Sequence, residues 1–175
     1  MADTKRYQAI KNIRDKLKEI TIANGYEIDL GGRVYIGKIE HGKETPAPFI
    51  ALWEPFSENG PTVASDAPKQ SGSGQRRTSQ SRIVVGYYIQ GFADKASDPA
   101  EPTAPAYVLL GAIQRCLGAL STESRPFGAD QQPGEITLDW GLVRPGGDNL
   151  STEHSYALIK LNLLIQEERG SPYVQ

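Results

Sequence analysis

The sequence predicts an α+β fold: a largely antiparallel or mixed sheet of about five strands, with two amphipathic helices packed on one face. Three observations lead there. Apolar residues recur at three- and four-residue steps in two stretches, near 4–24 and near 105–120. They alternate at every second position in several others, and clusters of glycine and proline separate these stretches.

The central strand is Arg82–Phe92, Arg-Ile-Val-Val-Gly-Tyr-Tyr-Ile-Gln-Gly-Phe. It is rich in β-branched and aromatic residues and free of proline. Strand geometry sets Ile83, Val85, Tyr87 and Ile89 on one face and Val84, Tyr88 and Phe92 on the other. With apolar residues on both faces, it requires cover on both sides.

From the N-terminus, residues 4–24 read as the first helix. Ile10, Ile13, Leu17 and Ile20 form one stripe, with Lys11, Arg14, Asp15, Lys18 and Glu19 around the rest. Thr4 is the expected N-cap, and Asn24-Gly25 suits a left-handed C-terminal cap. Tyr26–Leu30 is a short extended link and Gly31-Gly32 a turn. Val34–Ile39 follows as a strand, with Val34 and Ile36 opposite Tyr35. His41-Gly42, Pro46 and Pro48 break that pattern before Phe49–Trp53, a compact apolar strand expected to be buried on both sides.

Residues 55–80 differ in kind. They hold Pro55, Pro61, Pro68 and three glycines among many Ser, Thr and Gln, and read as a flexible arm inserted between strands of a single domain spanning 1–175. Lys69, Arg76, Arg77 and the nearby Arg82 give the arm positive character that the whole-chain charge conceals. After the central strand, Ala93–Pro105 is a loop. Pro105–Leu120 reads as the second helix, with Leu110, Ile113, Leu117 and Leu120 in register and a proline tolerated in its first turn. Gly111 and Gly118 lower its propensity and are expected to let it approach a sheet closely. Ser121–Pro133 is a polar connection. Ile136, Leu138, Trp140 and Leu142 then alternate as one strand with one apolar face, Pro145–Asn149 turns, and Tyr156–Gln166 is the last strand, with Ala157, Ile159, Leu161, Leu163 and Ile165 inward.

At 175 residues, 38% hydrophobic, 23% charged and with a formal net charge of -2, the chain is large enough for one real core and has no charge excess to recruit nucleic acid. The start Met1–Arg6 has no apolar h-region behind it, so no secretory signal is expected, and no apolar run approaches the roughly 20 residues that span a bilayer.

A search for chemistry finds little. Cys116 is the sole cysteine and His41 and His154 the two histidines, with no HExxH or CxxC, so no metal centre is expected. Cys116, on the second helix, reads as a small buried hydrophobe. Asp148, Ser151 and His154 are close in sequence, but a hairpin connection explains all three. The glycine pairs at 31–32 and 146–147 lack a phosphate-loop pattern, and the acidic residues show no acid-base pairing. The chain is expected to be no enzyme and to need no cofactor. Attention falls instead on surfaces. Tyr35, Trp53, Tyr88, Phe92 and Trp140 are candidate interface anchors where they face outward, and Arg76 and Arg77 are the strongest candidates for a partner contact.

Several phrases carry a resemblance: the N-terminal helix ending at Asn24-Gly-Tyr-Glu-Ile-Asp, Gly32-Arg-Val-Tyr-Ile-Gly, Pro48-Phe-Ile-Ala-Leu-Trp-Glu, Tyr87-Tyr-Ile-Gln-Gly-Phe, the helix around Tyr107–Leu120 and the long strand Tyr156–Gln166. In order and phrasing they resemble the tail terminator (minor tail, or tail-completion) proteins of long-tailed bacteriophages. That resemblance implies a structural virion protein, assembled in the host cytoplasm. It forms a ring, typically a homohexamer, that caps the head-proximal end of the tail tube, ends tube polymerisation and offers a head-joining surface. The implied partners are further copies of the chain, the tail tube protein and a head completion or neck protein. Neither membrane nor sequence-specific nucleic acid is implied, although DNA passes through such a ring. The neck or head-tail joining proteins are the alternative. A peptide- or nucleic-acid-binding module using the basic arm ranks lower, and a small enzyme built on the two histidines lower still.

Overall fold

A computed structural model describes residues 4–37, 45–54, 80–98, 100–121, 135–139, 141–145 and 154–168. The elements are helix α1 (Lys5–Leu17), strands β1 (Val34–Ile36), β2 (Phe49–Trp53) and β3 (Gln80–Asp94), helix α2 (Ala104–Ser121), and strands β4 (Glu135–Leu138), β5 (Leu142–Pro145) and β6 (His154–Glu168). The predicted α+β class is the observed one: two helices and a six-stranded mixed sheet. The arm lies outside the described residues except for Gln80, which opens β3.

Strand order is β1-β2-β3-β6-β4, with β5 also on β6. β1 and β2 are parallel, and every other pair is antiparallel. The centre is the β3–β6 ladder, in register from Gln80↔Glu168 to Asp94↔His154. The predicted central strand is therefore longer than Arg82–Phe92 and has a neighbour on each side. β2 reaches only from Phe92 to Tyr88 along β3 and ends at Trp53, two residues before Pro55, which has no N–H for the ladder.

That register divides the residues between two faces. Val34, Ile50, Leu52, Val85, Tyr87, Ile89, Ile159, Leu161 and Leu163 point to one side and meet Ile13 and Leu17 of α1 and Leu109, Ile113 and Leu117 of α2 in one buried core. This is the predicted arrangement, with both helices on one face. As expected, β2 is buried on both sides.

Local chemistry sets the ends of α1. Thr4 accepts from the Tyr7 N–H at 3.2 Å, the predicted N-cap. The helix stops at Leu17 rather than running to residue 24. Glu19 and Ile20 bond back to Lys16 and Leu17 in tighter three-residue turns. Thr21 then caps a separate 3-10 turn, Ile22–Asn24, that closes on left-handed Gly25. Ile20 keeps its place in the core despite the break.

Two further expectations need correction. The alternation from Ile136 to Val143 is not one strand. Leu138 pairs with Leu161 and Leu142 with Leu158, so four steps on this edge face three on β6. The extra residue is a β-bulge, with Gly141 at φ 79°. Past the bulge the inward position shifts by one. Val143 packs on the core, while Leu142, expected on the apolar face, turns outward and is 39% exposed. Trp140 lies outside the described residues.

The second correction concerns close helix-sheet approach. A Cβ at Gly111 or Gly118 would meet nothing within 4 Å, so neither faces the sheet. The close approach comes from glycines of the sheet. A Cβ at Gly91 would lie 2.6 Å from Leu109 Cδ2, and one at Gly141 would lie 2.8 Å from Leu110 Cδ1 and 2.9 Å from Ile159 Cγ1. Gly141 is thus fixed twice, by its backbone conformation and by the helix above it. Gly141→Ala is expected to cost about 2–4 kcal/mol of unfolding free energy, whereas Gly111→Ala is expected to gain about 0.5–1 kcal/mol from helix propensity. Urea denaturation of both variants checks this. A loss below about 0.5 kcal/mol for Gly141→Ala would contradict the packing described.

Candidate assembly surface

The sheet face turned away from the helices collects six of the ten aromatic residues among the described residues. Pairing along β1, β2, β3 and β6 places Tyr35, Phe49, Trp53, Tyr88, Phe92 and Tyr156 together on it. Four of the rings link through Phe49 and Phe92, and Trp53 and Tyr88 form a pair beside them. Phe49 stacks on Phe92 with centroids 4.5 Å apart, Tyr35 meets the Phe49 edge at 6.1 Å, and Tyr156 lies 6.4 Å from Phe92. Trp53 tilts over Tyr88 at 4.8 Å. Such offset and edge contacts contribute about 0.5–1.5 kcal/mol each beyond area burial.

Of the predicted anchors, Tyr35, Trp53 and Tyr88 are half-buried here and keep part of their surface exposed. Phe92 does not. At 3% exposed it is a core residue of a second small cluster with Phe49 and Ala51, because the ladder sets it directly opposite Phe49 and Tyr156. Arg82 pairs with Gln166 through its place in β3. Lys69, Arg76, Arg77 and Trp140 lie outside the described residues. Phe49 and Tyr156, missed as members of the cluster, are assigned by strand register, which local alternation does not reveal.

Toward β6, β4 and β5 the same face turns polar. Asn162 is half-buried, and Lys160, Thr137 and Arg144 are exposed beside the outward Leu142. The surface therefore grades from aromatic at the β1–β2–β3 side to hydrogen-bonding and cationic at the other. That is the composition of an interface with an aromatic core and a polar rim.

One polar group sits at the corner between the two faces. The Arg6 guanidinium pairs with the Glu54 carboxylate across the start of α1 and the end of β2. Tyr87, 2% exposed, brings its hydroxyl to the same corner, close enough to feel both charges but without a well-aligned hydrogen bond to either. Burial first, with Glu54's charge adding and Arg6 opposing, pushes the Tyr87 phenol up to about 12.

The groups searched for chemistry are dispersed. The Cys116 thiol, 2% exposed, donates to the Lys16 carbonyl at 3.3 Å, and burial pushes its pKa up, as suits the predicted small hydrophobe. His154 Nδ1 lies 3.1 Å from Asp94 Oδ1 at the end of the β3–β6 ladder, within ion-pair distance but without hydrogen-bond alignment. His41, Asp148 and Ser151 lie outside the described residues. Among the described residues no group of three or more His, Cys, Asp or Glu could hold a metal ion, and no helix is long and apolar enough to cross a membrane. No protein-family model matches the chain, and no curated protein is significantly similar to it.

The Tyr87 phenol gives this corner a pH signature. An unfolded tyrosine loses its proton near about 10, while folded Tyr87 keeps it to about 12. Between those values the folded state binds more protons, so the contribution is complete below the unfolded value and is lost as pH rises through the folded one. Tyr87→Phe should therefore flatten the fall in stability between pH 10 and pH 12, with a change within about 1 kcal/mol at pH 7. Denaturation midpoints across that range measure it. An unchanged alkaline slope would contradict the assignment.

Proposed function

We propose that the chain is a structural virion protein of the tail terminator kind: a ring subunit that caps the head-proximal end of a phage tail tube, stops its growth and presents a head-joining surface. The observation that carries the reading is the aromatic set Tyr35, Trp53 and Tyr88, partly exposed on a sheet face that the two helices leave to other uses. Aromatic groups of this kind dominate the centres of protein interfaces, and the graded polar remainder of the face supplies a rim. The resemblance in element order supports the same reading. Both helices and the strand phrases Phe49–Trp53, Tyr87–Phe92 and Tyr156–Gln166 occur as elements of the fold.

A ring needs two different patches on each copy, so that one meets the other and closure limits the number. In this reading the aromatic face meets the tube. In the same reading the basic residues Lys69, Arg76 and Arg77 contact a neighbouring copy or the tube. Assembly in the host cytoplasm and residence in the virion follow from the role.

Co-sedimentation with assembled tail tubes tests the proposal. The chain is expected to pellet with tubes at a fixed small number of copies per tube end, near six. The double variant Arg76→Ser, Arg77→Ser is expected to bind at least about tenfold more weakly, as the loss of two charged contacts implies. Failure of the unmodified chain to bind tubes would overturn the reading. Equal binding by the double variant would remove the arm from it.

A further inference from the structure

The two helices differ on the side away from the sheet. α1 fills its outer positions with charge, including Lys5, Lys11, Arg14 and Asp15, whereas α2 has one charged residue in its 18, Arg115. Tyr107, Gly111 and Arg115, at four-residue steps, line one stripe of α2, and all three are exposed, Tyr107 at 60%. A Cβ at Gly111 would meet nothing within 4 Å, so another backbone could come close there. Arg115 is already held in place. Its Nη1 donates to the Gly25 carbonyl at 2.8 Å, and its guanidinium lies over the Tyr26 ring at 4.8 Å. A planar guanidinium stacked on one ring has a second face for another. Beside it, in the turn that ends at Gly25, Ile22 is 66% exposed.

We infer that this stripe is a self-association surface, on which a second copy of the chain docks with its α2 antiparallel about a two-fold axis through Gly111. The stripe carries both halves of its own complement. Tyr107 and Arg115 lie four residues either side of Gly111, about 6 Å along the axis in each direction. A two-fold axis there lays Tyr107 of one copy on the open face of Arg115, beside Ile22, of the other, and the contact occurs twice. Charge fixes the direction. An antiparallel pair sets each Arg115 against Tyr107 of the other copy and away from a like charge. A parallel pair would instead set Arg115 against Arg115. The surface is separate from the aromatic sheet face and does not rest on the terminator reading.

The test is disulfide capture in the full chain. Gly111→Cys places a thiol at the axis on an exposed helical position, where leaving glycine favours the helix. The native Cys116 is buried, so the unmodified chain serves as the control. Under mild oxidation at micromolar concentration, Gly111→Cys is expected to give a two-chain band on a non-reducing gel, because a two-fold pair centred there brings the two positions within bonding distance, and a mixture of Tyr107→Cys and Arg115→Cys chains is expected to give the mixed pair only if the helices run antiparallel. Adding Tyr107→Ala should lower the yield about tenfold. Light scattering of the chain without the cysteine should show two-chain particles, with association weakened to a similar degree by Tyr107→Ala alone. Gly111→Cys chains that stay single, or that cross-link equally with and without Tyr107, would overturn the inference. Rings of six on tubes without this cross-link would remove this inference and leave the functional reading standing. A cross-linked pair that never binds tubes would do the reverse.

Discussion

The ladder between β3 and β6 is the constraint on which the rest of the structure depends. Each strand is 15 residues long, and they pair over their whole length, from the Gln80↔Glu168 end to Asp94↔His154. A two-stranded ribbon is marginal alone in water, so this one needs neighbours and a covered face. β2 supplies the neighbour on one side, and β4 with β5 on the other. The helices supply the cover. Because strand side chains alternate, a slip of β3 by one residue against β6 would send Tyr87 and Ile89 to the open side and Tyr88 and Phe92 beneath the helices. The division into a helix-covered face and an aromatic face is thus a property of this one register.

Glycine on the sheet lets the helices close over it. Gly91 lies under Leu109 and Ile113, and Gly141 under Leu110, at distances that leave no room for a side chain. Gly141 also carries the bulge that bends the β4–β5 edge and reverses which residues face in. The bulge puts Val143 on the core and frees Leu142, so the edge keeps its hydrogen bonds to β6 on both sides of an extra residue. Bulges of this kind also blunt an edge against pairing with stray strands.

Much of this was legible in the sequence where one period holds over a whole element. The α1 and α2 stripes, the face assignments of β1, β3 and β6, and the N-cap at Thr4 are local patterns, and local patterns can be read from a chain. The misreadings share a cause. The alternation Ile136-Leu138-Trp140-Leu142 continues straight through a bulge that only pairing with β6 discloses. Gly111 and Gly118 look like packing glycines because they sit in a helix, yet the orientation of that helix is set by residues far away in sequence. The same holds for Phe92, whose burial follows from Phe49 and Tyr156 across the sheet, and for the Arg6–Glu54–Tyr87 corner, which joins three elements. The basic arm is compositionally plain, but composition fixes no contact for Lys69, Arg76 or Arg77.

The central functional claim is that this chain limits the length of a tail tube. Polymerising tube protein with and without the chain, and measuring tube lengths and end density by electron microscopy, tests it most directly. The account predicts tubes closed at one end by a ring, with elongation halted after it binds. Tubes that keep growing in its presence, with no density added at either end, would contradict it.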